Sequence, residues 1–474
     1  MKLKISDELK YIIGKTDRRE GNGWLPFYMH ALDTMKMIEL LVHCRYDGMH
    51  ELCGMSKSEF LKTVRLLALL HDIGKVTPAF QSLIMASVNF ECRYASEYAG
   101  CFKEGSDYRK NSHHPIAGES ILIAMGINKA FASVVGAHHG MPPSAIQVDK
   151  NIQTYPKNYF GNLGEDEFWT GLWDEWISIS MELAGFASKE DIPLLSKKAQ
   201  VLLSGLLITA DWIASDSDKF PLLELDCVLL PEYDETRAEE AWAKLRFTEV
   251  WSSEMYCADN SVFHERFGFD LREVQEAVLD IVNEIEKPGI MILEAPMGIG
   301  KTEIALMAAE VMACRADKHG VFFGLPTQTT ANGIFGRFMS WAGKQSDGFY
   351  HSIMLAHTNA DFQPAFSSLP RHVPDVEYDI EHDDQNGLIV HSFFMGRKQS
   401  CMAEFVVGTV DRMLMAALKR KHTMLLHLGL SQKVVIVDEC HAYDANVNNA
   451  KKPRFQAVFL FQNLLLHVFY TNFI

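Results

Sequence analysis

The sequence predicts a multidomain protein in which an all-α, histidine-rich first half is followed by an α/β domain with a parallel sheet. Three observations predict it. Histidines and aspartates recur on successive apolar helical runs between residues 30 and 211, a glycine-rich loop ending in Lys-Thr follows an apolar strand, and a second apolar strand ends in Asp438-Glu439. At 474 residues the chain exceeds one ordinary domain. The predicted boundaries are a first domain over 1–222, a linker region over 223–262, a second domain over 263–448 and a C-terminal tail over 449–474.

A hydrophobic content of 48% with 22% charged residues is that of a folded globular chain. The formal charge of −16 excludes nucleic-acid binding driven by bulk electrostatics, so any such site must be a local groove or patch helped by metal ions. Nine cysteines without a CxxC pair give neither a zinc ribbon nor a disulfide framework, and a reducing cytoplasm fits them. The N-terminus MKLKISDELKYIIGK lacks the apolar core of a signal peptide. No membrane-spanning run is evident; the nearest approach, 455–474, is interrupted by Gln456, Gln462, Asn463, His467 and Asn472. No membrane partner is expected.

Taken in order, PFYMHALDTMKMIELLV places His30 within an amphipathic helix. RLLALLHDIGKVTPAF brings His71 and Asp72 to the end of a buried helix, with Gly74 and Pro78 breaking the run. NSHHPIAGESILIAMG sets His113 and His114 at a helix start, and FASVVGAHHGMPP sets His138 and His139 at a helix end. LLSGLLITADWIASDSD carries Asp211 on an apolar helix, where a carboxylate is costly to bury without a partner or a metal. Singly, each histidine reads as a core or surface side chain. The ordered set supplies nitrogen and oxygen ligands for two divalent cations, and its imidazoles suit Mn, Fe, Co, Ni or Zn better than Mg or Ca. Such a pair clamps a phosphodiester and activates water, which is phosphoester hydrolysis.

His30, the His71-Asp72 pair followed by Gly74-Lys75, and Asp211 resemble the HD phosphohydrolase superfamily. His114 with Gly118, His138-His139-Gly140 and the run Asp211-Trp212-Ile213-Ala214-Ser215 resemble, more narrowly, the HD nuclease domain of the CRISPR-associated nuclease-helicase of type I systems. The resemblance implies that His30, His71, Asp72, His114, His138, His139 and Asp211 bind the metal pair. It takes His114 rather than His113 as the ligand, and it places Lys75 near substrate phosphate beside the catalytic His71 and Asp72.

In the second half, LPEYDETRAEEAWAKLRF reads as a connecting helix. The loop from Ala295 to Thr302 is a phosphate-binding loop in which Ala295 replaces the first glycine of GxxxxGK[ST]. Gly298 and Gly300 let backbone amides face phosphate, Lys301 reaches the β- and γ-phosphates, and the Thr302 hydroxyl ligates Mg, so ATP with Mg is the expected cofactor. KVVIVDECHAYD ends in Asp438, placed to hold the Mg hydration shell, and Glu439, placed to orient the attacking water. GVFFGLPTQTTANGIFGRF and FVVGTVDRMLMAALKRKH continue the strand, turn and helix alternation.

This half resembles the first RecA-like domain of superfamily 2 helicases. The resemblance implies that Gln275 reads adenine, and that Pro326-Thr327, Thr330, Asn332 and Gly408-Thr409-Asp411 hold a DNA strand by its phosphates. Lys419-Arg420-Lys421-His422 reads either as cationic contact or as a solvated helix end. His441-Ala442-Tyr443-Asp444 matches the CRISPR-associated family, and the acidic stretch 360–385 reads as a solvated insertion.

Beyond residue 448 the resemblance stops, and the tail matches no helicase motif. The chain is expected to be truncated or frameshifted, binding ATP weakly and unable to translocate unless a separate chain supplies a second helicase domain. The expected activity is a metal-dependent endo- or exonuclease, acting on single-stranded DNA of the R-loop opened by a guide-RNA surveillance complex in antiviral defence. Two alternatives stand beside it: an HD nucleotide phosphohydrolase and an inactive truncated remnant.

Overall fold

A computed structural model describes residues 3–17, 23–85, 107–161, 166–224, 230–286, 289–296, 298–345, 348–371, 387–396, 398–439 and the backbone of 466–470. They divide into two compact units, Met1–Lys244 and Leu245–Ile474.

The first unit is helical apart from a three-stranded antiparallel sheet of β1 (Ile13–Thr16), β2 (Gly23–Pro26) and β3 (Leu223–Glu224). Helices α1 (Phe27–Arg45), α2 (Lys57–Leu70) and α6 (Lys197–Ala214) pack on one another, with α3 (His114–Ala124), α4 (Lys129–Gly136) and α5 (Asp166–Ala184) around them. Caps fix where these helices begin. Ser56, Asn128 and Ser196 each accept the backbone N–H three residues on, at 3.2, 2.9 and 3.2 Å. Every residue of α1 from Phe27 to Met35 is buried, so its first turns are a core helix rather than the amphipathic helix expected there. Trp173 and Trp176 on α5 bury their indoles and donate to the carbonyls of Val76 (2.7 Å) and Leu69 (2.9 Å), pinning both sides of His71-Asp72.

The predicted linker is not one free connector. Its first part folds into the first unit, where Arg237 on α7 (Thr236–Leu245) forms a two-pronged ion pair with buried Asp33 (3.1 and 3.2 Å) and Tyr233 donates to the same carboxylate at 3.0 Å. Its second part belongs to the other unit, where buried Trp251 packs its ring 5.2 Å from that of Phe405. Alternating charge hid the few anchoring side chains.

In the second unit, α8 (Glu273–Glu284) precedes β4 (Ile290–Glu294) and α9 (Lys301–Ala316). There follow β5 (Val321–Leu325), α10 (Gln328–Gly343), β6 (His351–Ala356), β7 (Leu388–Ile389), β8 (Phe405–Thr409), α11 (Val410–Leu414), α12 (Thr423–Ser431), β9 (Val434–Val437) and β10 (Leu466–Tyr470). The seven strands form one parallel sheet ordered β4-β10-β9-β5-β8-β6-β7. Strands β5, β6, β8 and β9 are apolar apart from His351 and Ser352 at the start of β6 and Thr409 at the end of β8, and at most one residue of each is less than fully buried, as a sheet covered on both faces requires.

The tail expectation is corrected here. Residues Leu466–Tyr470 form β10, which pairs in parallel with both β4 and β9 and so separates the phosphate-loop strand from the Asp438 strand. The strand carries no chemical motif, so its residues leave no local mark of their place in the sheet. In the stretch expected to be a solvated insertion, Ala360–Phe362 and Pro364–Ser367 are helical turns with Phe366 buried, whereas 372–386 lie outside the described residues. His441-Ala442-Tyr443-Asp444 also lie outside them. Among the described residues no helix is long and apolar enough to cross a membrane.

Candidate metal centre and nucleotide loop

Five helices and one 3-10 turn deliver the histidines and aspartates of the first unit to one place. His30 projects from α1, His71 caps the C-terminus of α2, Asp72 opens the 3-10 turn Ile73–Lys75, His114 begins α3, His138 and His139 follow α4, and Asp211 lies near the end of α6. Two groups converge: His30, His71 and Asp211 form one, and His114, His138 and His139 the other, each with its ligand atoms within 4.8 Å of one another. Asp72 stands between them. Its Oδ2 lies 3.4 Å from His30 Nε2 and 3.2 Å from His71 Nε2, while its Oδ1 lies 3.6 Å from His114 Nε2 and 3.5 Å from His138 Nε2.

The imidazoles are oriented from behind. His71 Nδ1–H donates to the Ala68 carbonyl (2.7 Å) and His138 Nδ1–H to the Val135 carbonyl (2.6 Å), so each turns its Nε2 into the site. Both Nε2 atoms are fully buried and have no hydrogen-bond partner. The nearest carboxylate oxygens lie 3.2 to 3.5 Å away. That is the arrangement of ligands aimed at a shared point, and a mixed imidazole and carboxylate donor set suits a transition-metal ion.

Electrostatics agree with the geometry. Burial opposes ionisation of Asp72, yet Lys75 and His71 outweigh it and hold this carboxyl well below the usual carboxylate range. Burial likewise opposes ionisation of Asp211, but the hydrogen bond from His30 (3.2 Å) and the nearby His71 overcome it and hold this carboxyl well below the usual range. Burial lowers His30 to about 4 and pushes His114 well below its ordinary value; burial and then His138 lower His139 to about 4. His71 is the exception: burial would lower it, but Asp72 and Asp211 together raise it to about 10. His71 therefore holds the proton that a cation would displace.

His139 is exposed and Asp211 half-buried, whereas His30, His71 and His138 are enclosed, so the site opens on the His139 side. His113 stays exposed at the start of α3, outside both groups. Lys75 reaches the site, with its Nζ 2.5 Å from Asp72 Oδ2 and 2.8 Å from the Gly14 carbonyl. Two further groups support this site, and of them only Lys15 escaped the sequence reading. Ser215, one helical turn beyond Asp211, donates to Asp211 Oδ1 at 3.2 Å, and Lys15 donates to the Ser215 carbonyl. The i, i+4 spacing marks Ser215, but no local signal marks Lys15, which arrives from a distant strand.

In the second unit, Gly298 and Gly300 adopt φ of +80° and +84°, the left-handed backbone that glycine allows, immediately before α9. Lys301 Nζ donates to the Ala295 carbonyl at 2.7 Å, within its own loop, and Thr302 is half-buried beside it. Gln275 is buried and braces the loop: its oxygen accepts from the Arg272 N–H (3.0 Å) and its amide donates to the Gly300 carbonyl (3.0 Å). Arg272, unmarked in the sequence, donates to the Gly298 carbonyl at 2.6 Å. Asp438 directly follows β9, with the pKa of its carboxyl raised by burial and its Oδ1 accepting from the Glu439 N–H at 2.8 Å. Glu439 takes a φ of +55°. Thr327 caps α10 and shares hydrogen bonds with Thr330, Asn332 Oδ1 meets His357 Nε2 at 2.9 Å, and Thr409 ends β8 beside exposed Asp411. Lys419, Arg420 and Lys421 are exposed while His422 is buried.

A helical histidine and aspartate centre joined to a phosphate-loop parallel sheet defines an HD-type domain followed by a RecA-like, helicase-type domain. Residues 14–220 match the family model described as Cas3, HD domain, and residues 268–466 match that of type III restriction enzyme, res subunit. The CRISPR-associated nuclease/helicase Cas3 of Streptococcus thermophilus is 36% identical over 91% of this chain and 48% of its own length. Among solved structures, Cas3 of T. fusca with AMPPNP superposes with a TM-score of 0.75 at 21% identity, covering 98% of this chain and 50% of that one. A chain in a structure described as a CRISPR RNA-guided surveillance complex, pre-nicking, superposes with a TM-score of 0.62 at 20% identity, covering 97% of this chain and 47% of that one. Residues 14–220 thus carry a Cas3-type HD domain and residues 268–466 a helicase-type domain, in a chain that is similar to Cas3 over nearly all its residues and spans about half the length of the curated relatives it matches.

Proposed function

We propose that the first unit is a metal-dependent nuclease for single-stranded DNA, that the second binds ATP with Mg and holds the strand by its phosphates, and that the protein works with a guide-RNA surveillance complex on the R-loop. The observation that carries the nuclease reading is Asp72, with one carboxylate oxygen turned to each ligand group. A divalent pair bound there supplies Lewis-acid activation of a phosphodiester and of water. His30, His71 and Asp211 would hold one ion, His114, His138 and His139 the other, and Asp72 would touch both. Lys75 keeps Asp72 ionised and, on letting go of it, offers an ammonium to a phosphate oxygen at the same edge. Enclosed His30, His71 and His138 exclude water from three sides, leaving the strand to enter past His139.

On the second unit, Lys301 exchanges its loop carbonyl for nucleotide phosphate, and the amides at the start of α9 complete the cradle. Asp438 and Glu439 serve the Mg and the attacking water, with Gln275 as the adenine reader. The names of the relatives support the surveillance complex as partner. The test is cleavage of labelled single-stranded DNA with Mn or Ni, comparing the wild type with Asp72→Ala. Loss of cleavage in the variant is expected. Unchanged cleavage, or release of phosphate from nucleotides with DNA left intact, would overturn the reading.

A further inference from the structure

A cavity of about 420 Å³ opens at the carboxyl ends of β6 and β8, beside the start of α10. Its size falls in the roughly 300–1,000 Å³ span of pockets that hold a small ligand. Its walls are of two kinds. Met354, Phe366, Met395 and Met415 supply polarisable, ring-stacking surface, while Gln328, Asp411 and Arg412 supply hydrogen-bonding groups. Arg412 donates through Nη2 to Ser400 at 3.1 Å, but its Nε–H is buried with no hydrogen-bond partner. With one guanidinium nitrogen fixed on Ser400, Arg412 is held at the cavity wall. Asp361 and Asp411 also line the cavity, so its charge is not cationic and it does not suit a phosphate.

We propose that this cavity takes one nucleobase extruded from the bound single strand, with guanine preferred. Guanine presents the O6 and N7 acceptors that an arginine edge recognises, together with amino and imino donors suited to a carboxylate such as Asp411. A flat neutral ring fits between thioethers and Phe366, and extrusion is cheap from a strand that is already unpaired. The inference rests on the strand-binding reading above, because Gln328 follows Thr327 and Asp411 follows Thr409, so that a strand held by those threonines passes the cavity mouth. It adds base preference to contacts that otherwise ignore sequence.

The test is fluorescence anisotropy of the full chain in excess chelator, which keeps the strand intact, using labelled 20-nucleotide oligothymidine unmodified or with one central guanine or adenine. The guanine strand is expected to bind about tenfold tighter than the all-thymine strand, equivalent to about 1.4 kcal/mol. Arg412→Met should erase that difference, and so should Met415→Trp, which fills the cavity, with unchanged melting showing that each variant folds. Equal binding of all three strands by the wild type overturns this inference and leaves the strand-binding reading standing. Absence of binding to any strand overturns both.

Discussion

Gly74 is where the turn bearing Asp72 touches the helix bearing His114, and adding one methyl group there tests how tightly the metal centre is built. A Cβ on Gly74 would overlap the His114 carbonyl oxygen and lie 2.6 Å from Gly118 N and 2.9 Å from the His114 carbonyl carbon. All three are backbone atoms, so no rotamer change relieves the clash and α3 must back away by roughly 1 Å. Overpacking of this kind costs up to about 3 kcal/mol, which is roughly 6–12 °C of melting temperature for a unit of this size. The displacement also moves His114 from Asp72, and an error of about 1 Å at a reacting centre can cost on the order of a hundredfold in rate. Gly118→Ala is the milder comparison, since its Cβ would press on the Gly74 backbone nitrogen at 3.3 Å but otherwise meet side chains at 3.5 Å and beyond; it should lose less stability than Gly74→Ala. Thermal melts with and without Mn or Ni, paired with cleavage of single-stranded DNA, read both effects. If Gly74→Ala melts, responds to metal and cleaves like the wild type, the packing argument is refuted.

Glu119 on α3 has a buried carboxyl oxygen without a hydrogen-bond partner, and burial, then Asp149, raise its pKa to about 7 against an ordinary 4.5. The folded state therefore binds the extra proton, so Glu119 costs stability increasingly as pH rises from about 4.5 through about 7. Glu119→Gln should raise the melting temperature at pH 8 but hardly at pH 4.5, and equal gains at both would count against this. Arg237→Met strands the Asp33 carboxylate and should cost about 3–5 kcal/mol in chemical denaturation; Asp33→Asn in the same chain should recover part of the loss. His71, raised to about 10, must lose its proton to ligate, so metal affinity followed by calorimetry should climb with pH through the neutral range. Lys301→Ala should abolish ATP binding in a nucleotide-fluorescence assay while leaving single-stranded DNA cleavage intact.

Much of both sites was legible because their chemistry leaves short local marks. His71-Asp72, His138-His139 and the glycines before Lys301 declare themselves through residue type and spacing. The class of each half follows from periodicity, helical around the histidines and continuous apolar strand around Val434–Val437. What escaped was the support. Trp173, Trp176 and Arg237 act on atoms about 100 residues away or more, and β10 was hidden in an apolar run that bears no functional residue.

The sequence by itself determined the set of histidines and aspartates on successive helices and the glycine-rich loop before Lys301, because those depend on side-chain identity and on neighbours within a helical turn. Only the tertiary structure decided that the ligands split into two groups of three with one Asp72 oxygen facing each. It alone inserted β10 between the phosphate-loop and Asp438 strands. Both depend on how distant segments pack, and packing is settled by burial and backbone contact across the whole unit rather than by any local pattern.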